Sequence, residues 1–114
     1  RFGPLLYGVS WIKIFESAQE AHSRVPPGTL ALVRVGTLRI CLANVNGSLR
    51  AVQDSCTHNG EALSKGTMNS RGEVICPWHG YCFDLKSGRE SSERSADLET
   101  FPIKTEDDGI FILI

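Results

Sequence analysis

Cys56-Thr57-His58 and Cys76-Pro77-Trp78-His79-Gly80 decide how this chain is read. Together they spell C-x-H, a spacer of seventeen residues, then C-x-x-H. Each half offers one thiolate and one imidazole, so two short loops supply two sulfurs and two nitrogens. Soft thiolates suit zinc or iron–sulfur clusters, and imidazole suits zinc or iron. A structural zinc site ordinarily takes a Cys pair from one hairpin and a His pair from one helix. Here each loop carries one donor of each kind, which suits two irons bound unequally better than a single ion. Cys56, His58, Cys76 and His79 are therefore the candidate metal ligands, with a structural zinc module as the remote alternative.

Outward from these loops the pattern is that of β-structure. Residues 29–35, 38–45 and 48–54 are rich in Leu, Val and Ile. Gly36-Thr37 and Asn46-Gly47 separate them, and Asn-Gly is the strongest short hairpin signal. They predict a three-strand meander that delivers the chain to Cys56. Residues 55–66 form the first ligand loop, 69–72 a turn, and 73–76 a short strand ending at the second ligand pair. Residues 81–85 lead away from it, closed by Lys86-Ser87-Gly88. The polar stretch 88–100 reads as a solvated connection whose acidic residues could steer a basic partner surface. Residues 101–105 and 110–114 form a last hairpin around Asp107-Asp108-Gly109. Strands at this spacing predict an antiparallel sandwich or barrel.

The N-terminal portion is plainer. Residues 1–8 contain Gly and Pro and read as an irregular lead-in. Residues 9–15 predict a strand with Val9, Trp11 and Phe15 on one side. Residues 16–23 predict a short helical turn with Ser17 as N-cap and Glu20 three residues on. Pro26-Pro27 end it. His22 is expected on the surface.

Composition narrows the classes. At 114 residues the chain is expected to be one domain, residues 1–114. A net charge of −1 leaves no basic footprint for nucleic acid. No apolar run approaches bilayer length, so no membrane association is expected. No charged-then-apolar leader precedes a small-residue cleavage site, so a cytoplasmic location is expected, although Arg1 is not a Met. Four Cys could make two disulfides in a secreted protein. With two of them beside His, the better reading is a reducing compartment with Cys41 and Cys82 as structural thiols.

The loops also resemble a known family. Cys56-Thr57-His58-Asn59-Gly60-Glu61-Ala62-Leu63-Ser64-Lys65-Gly66 resembles the first cluster loop of Rieske-type ferredoxins. His79-Gly80-Tyr81-Cys82-Phe83-Asp84-Leu85-Lys86-Ser87-Gly88 resembles the strand after the second. The resemblance implies an all-β Rieske-like antiparallel sandwich or barrel, with a small cluster-binding subdomain of two loops at about residues 55–85. It implies one [2Fe–2S] cluster per chain, with Cys56 and Cys76 on the buried iron and His58 and His79 on the outer one. Residues 96–98 are expected to pass near it. Gly60 and Gly80 let main chain approach closely, Pro77 fixes the backbone between Cys76 and His79, and Trp78 is expected chiefly to shield the cluster. Leu63 and Phe83 would pack beneath the loops, while Thr57 and Asn59 would shape them.

Departures from the family's high-potential class point to a low potential. Glu61 and Trp78 stand where that class has a disulfide clamp. Tyr81 and Phe83 stand where it has a Ser and a Tyr that donate hydrogen bonds to sulfur. Losing those donors disfavours the more negative reduced state, so a midpoint near about −150 mV is expected. The implied function is a soluble one-electron carrier, not itself an enzyme. It would link a flavin-dependent ferredoxin reductase to a terminal oxygenase and act as a monomer. An oxygenase needs a second iron held by two His and a carboxylate. After His58 and His79 only His22 remains, so this chain cannot build that centre. An accessory subunit of an enzyme such as nitrite reductase is the alternative.

Overall fold

A computed structural model describes residues 10–114. Ten strands and one short helix follow in order: β1 (Trp11–Phe15), α1 (Ala18–Arg24), β2 (Leu30–Val35), β3 (Leu38–Val45), β4 (Ser48–Gln53), β5 (Thr67–Met68), β6 (Glu73–Ile75), β7 (Cys82–Asp84), β8 (Thr100–Phe101), β9 (Ile103–Glu106) and β10 (Gly109–Leu113). Every strand pairing is antiparallel. One sheet has the order β1-β10-β9, a second β2-β3-β4-β8, and a third, smaller one β5-β6-β7. The third sheet and the loops flanking it make the small subdomain that the resemblance implied.

The predicted meander is β2-β3-β4, and its turns carry their own cause. Val45 pairs with Ser48 across Asn46 and Gly47, whose φ angles are 53° and 96°. Both are left-handed, the geometry that matches hairpin twist and that Asn and Gly tolerate. Helix α1 starts where the cap predicts. The Ser17 hydroxyl accepts from Glu20 N at 3.0 Å, and the Glu20 carboxylate accepts from Glu16 N at 2.8 Å.

Strand β3 is the common wall of two cores. Cys41 and Ala43 face a cluster with Val52, Cys56, Leu63, Val74, Cys76, Phe83, Leu85 and Leu98. Ile40 and Leu42 face the other, with Phe15, Ala21, Val25, Ala51, Phe101, Ile110 and Ile112. Side chains alternate along a strand, so a run buried from Ile40 to Asn44 requires cover on both faces. The small subdomain covers one and the β1-β10-β9 sheet the other. This wall places Cys56, three residues beyond the end of β4, over a rigid base.

Three expectations change. Val9 lies outside the described residues, and Trp11 and Phe15 do not share a face. Trp11 is 41% exposed, with Lys104 Nζ 4.5 Å over its ring, whereas Phe15 is buried. A bulge between Lys13 and Phe15 shifts the register and turns Phe15 inward. Residues 88–100 are not simply a solvated connection. Glu90 bridges to Phe83 and is fully buried, and Leu98 is buried in the core that holds the candidate ligands. Glu90 is thus unavailable to steer a partner. No helix among the described residues is long and apolar enough to cross a membrane.

Candidate metal centre

Cys56 and Cys76 lie at the inner end of the site and are both buried. His58 and His79 lie outside them and are exposed. The two thiols belong to one buried cluster, and the two imidazole centroids are 5.6 Å apart at 74°. Residues twenty and twenty-one positions apart in the chain have thus been brought together as like pairs, sulfur with sulfur and ring with ring. Leu63 and Phe83 are buried beneath the loops, as expected.

The first loop is held from several directions. Cys56 N donates to Glu61 O at 2.9 Å, and Gly60 N donates to Cys56 O at 2.7 Å. Buried Asp54 accepts from Ser64 N through Oδ1 at 2.7 Å, and its carbonyl accepts from Leu63 N at 2.7 Å. Its other carboxylate oxygen pairs with Arg39 at 3.1 Å. Asn59 Oδ1 accepts from Glu61 N at 3.0 Å and lies 3.9 Å from Cys76 Sγ. Thr57 Oγ1 donates to Ala96 O and lies 3.0 Å from Ser95 Oγ. Thr57 and Asn59 therefore shape the loop, and the 95–96 backbone reaches it.

The second loop holds itself. Cys76 N donates to Tyr81 O at 2.8 Å, closing residues 77–80 into an exposed turn. Two successive left-handed residues, His79 at φ 72° and Gly80 at φ 69°, make that turn possible. Such a φ is uncommon for a residue with a Cβ, and it persists where the surroundings impose it. The Trp78 backbone opposes the effect of burial on Cys76 and favours its thiolate.

Trp78 does not shield the site. Its side chain is 57% exposed, and its ring meets His79 edge-on at 5.7 Å and 89°. The turn that aims His79 outward carries Trp78 out with it. Tyr81 also has a place that its number alone did not suggest. Its ring stacks flat on His58, centroids 3.9 Å apart at 10°. Arg94 lies over the same ring at 3.8 Å.

The donors fit a [2Fe–2S] group. Burial pushes the Cys76 thiol up to about 11, and the neighbouring Cys56 adds to this. Two thiols packed side by side away from water would ionise together only with cationic charge between them, so loading metal would release their protons. Among the described residues, no three His, Cys, Asp or Glu side chains converge on one ion position. A two-iron cluster needs only a pair at each end, which is the arrangement found. Cys41 and Cys82 stay outside it: none of the four Cys is disulfide-bonded, and burial raises Cys41 to about 12 and also raises Cys82.

Comparison with known proteins bears on the family and the fold. The family model for the Rieske [2Fe-2S] domain matches residues 11–102. Ferredoxin CarAc of Metapseudomonas resinovorans is 32% identical over 105 residues, covering 90% of this chain and 92% of that protein. Human apoptosis-inducing factor 3 is 35% identical over 86 residues, 75% of this chain, and the match spans only 14% of that much longer protein. Among solved structures, a chain in a complex of reduced oxygenase and oxidised ferredoxin of carbazole 1,9a-dioxygenase superposes with a TM-score of 0.75. That pair is 28% identical and covers 90% of this chain and 91% of the other. A protein named as an NADH-dependent nitrite reductase small subunit from Mycobacterium tuberculosis has a TM-score of 0.78 at 18% identity. It covers 93% of this chain and 96% of its own, and it speaks for the fold alone.

Proposed function

Because the chain belongs to the Rieske [2Fe-2S] domain family, we propose that it is an electron carrier whose cluster is held by Cys56, His58, Cys76 and His79. One observation carries the assignment: the two thiols pair in the interior while the two imidazoles pair at the surface. A [2Fe–2S] cluster supplies one-electron exchange there when bound. The chain's own residues do the rest. Cys56 and Cys76 anchor the inner end against the core, and the Trp78 backbone favours the Cys76 thiolate. His58 and His79 present the exposed side of the site to a redox partner, with Trp78 exposed beside them.

Two partners fit this role: a flavin-dependent ferredoxin reductase that supplies electrons and a terminal oxygenase that receives them. Support comes from CarAc, named as a ferredoxin, and from the complex whose name places a ferredoxin with an oxygenase. Trp78, exposed next to His79, is the docking residue in this reading. The protein would act as a monomer in a reducing, cytoplasmic setting. The accessory-subunit reading has less behind it, since it rests on a fold likeness at 18% identity.

The test is spectroscopic. Iron and sulfide analysis should return two of each per chain. The dithionite-reduced protein should give a Rieske-type EPR signal with a midpoint near about −150 mV. A midpoint above roughly +100 mV would overturn the low-potential reading. His58→Cys should retain a cluster at a lower potential, because a thiolate adds negative charge. An unchanged midpoint would remove His58 from the ligand set.

A further inference from the structure

A column of side chains stands behind His58. The Tyr81 ring lies flat on the imidazole at 3.9 Å, and the Arg94 guanidinium carbon lies 3.8 Å from the same ring centroid. Two groups that close to one centroid cannot share a face without overlapping, so His58 and Arg94 occupy opposite faces of Tyr81. Arg94 is in turn held by Glu90. Its Nη2 meets one carboxylate oxygen at 3.0 Å, its Nε meets the other at 3.3 Å, and its backbone N donates to that same oxygen at 2.7 Å. Glu90 is fully buried, whereas the Arg94 side chain is 46% exposed.

This arrangement is more than a surface ion pair. An exposed Arg is ordinarily free to sample rotamers. A two-pronged grip on a buried carboxylate fixes the guanidinium plane, and that plane is then applied to an aromatic face. The carboxyl of Glu90 is held near 2 by its hydrogen bonds from Arg94, so the grip is ionic at neutral pH. The same short segment also holds the residue before His58, since Thr57 bonds to Ala96 O and Ser95 Oγ. One strap, residues 90–96, thus contacts both Thr57 and the ring that backs His58.

We propose that Glu90, Arg94 and Tyr81 are positioning residues that fix the imidazole plane of His58 and place a permanent positive charge behind it, raising the reduction potential of the centre. The proposal rests on His58 being a ligand. Charge reasoning sets the sign: a cation favours the more negative, reduced state, and removing it leaves the Glu90 carboxylate unpaired nearby. Both changes make reduction harder. A unit charge at this range, across protein and partial solvent, changes such an equilibrium by about tenfold.

The experiment measures the midpoint potential and the nitrogen hyperfine couplings of the reduced holoprotein by pulsed EPR. Arg94→Met should lower the midpoint by about tenfold in the reduction equilibrium, about 59 mV for one electron, and should alter one of two nitrogen couplings. Arg94→Lys keeps charge without the planar fork, so it should restore most of the midpoint but not the coupling. Arg89→Met is the control, because Arg89 pairs with exposed Glu93 in the same region, outside the Glu90–Arg94–Tyr81 column. It should leave both readouts at their wild-type values. Glu90→Gln, which loosens the grip while keeping the cation, covers the case in which Arg94→Met fails to load. It should alter the same coupling. If the wild-type protein shows no pair of nitrogen couplings, the ligand assignment itself fails. If it shows them and both the Arg94 and Glu90 variants leave potential and couplings unchanged, the column has no such role.

Discussion

The two ligand loops are alike in sequence and unlike in how they are held. Residues 55–66 are tied down by other parts of the chain: Asp54 takes Ser64 N and Leu63 N, Asn59 reaches toward Cys76, and the 95–96 segment takes Thr57. Residues 77–80 are exposed, closed by one backbone bond and by the left-handed angles of His79 and Gly80. Each loop must present a Cys inward and a His outward. One does so by outside support and the other by its own backbone. Damage to the first should therefore spread into the fold, while damage to the second should stay local.

At the ligands themselves the difference disappears. Cys56→Ser and Cys76→Ser should each abolish iron retention, read as loss of iron, sulfide and visible absorption, since either loop alone supplies only half the donors. A variant of either that keeps full iron content would break the assignment.

Glycines then separate the loops sharply. Gly66, at the end of the first, packs so closely that an added methyl would overlap the Ile75 carbonyl oxygen. Gly66→Ala should cost several kcal/mol and register as a large drop in urea midpoint, or as failure to fold. Gly80 in the second loop has open space around its Cβ position, so only its φ of 69° opposes a side chain. Gly80→Ala should cost about 1–2 kcal/mol. Equal losses would erase the contrast.

Support from outside the loop can be removed directly. Asp54→Ala takes away the acceptor for Ser64 N and strands Arg39, and should cost about 2–3 kcal/mol by chemical denaturation. The strap is testable by pH. Hydrogen bonds from Arg94 hold the Glu90 carboxyl at about 2, below its ordinary value of 4.5. With the folded value depressed, the stabilisation is present above about 4.5 and is lost as pH falls toward 2. Half-exposed Arg94 is screened, so about 1–2 kcal/mol is at stake rather than the full value of the shift. Wild type should lose that much more stability than Glu90→Gln between pH 5 and about pH 2.5. Parallel curves for the two proteins would show that the pair does not support the fold. Smallest of all should be Trp78→Ala, within about 0.5 kcal/mol in stability. Its effect belongs in electron-transfer rate to a partner, and a large loss of stability would mean the ring packs after all.

Much of the scaffold could be read in advance because its causes are local. Asn46-Gly47 needs only its own φ preferences to make a hairpin, and Ser17 with Glu20 needs only one helical turn to cap α1. The bulge that turns Phe15 inward was not readable, since it depends on where β10 runs beside β1. Nor was β5, two residues long and defined by its partner β6. Glu90 was misread for the same reason. An acidic residue in a polar run looks solvated, and the grip of Arg94 makes its burial tolerable.

The four candidate donors, their types and their C-x-H and C-x-x-H spacing were legible in the sequence, because a ligand set is a matter of chemistry and short-range chain geometry. So was the all-β meander that carries Cys56 to its place. Tertiary structure decided what spacing cannot express. It pairs sulfur with sulfur inside and ring with ring outside, buries both faces of β3 beneath the site, turns Trp78 to solvent, and stacks Tyr81 and Arg94 behind His58. Those outcomes depend on contacts between residues far apart in the chain, and only the closed fold brings them within reach.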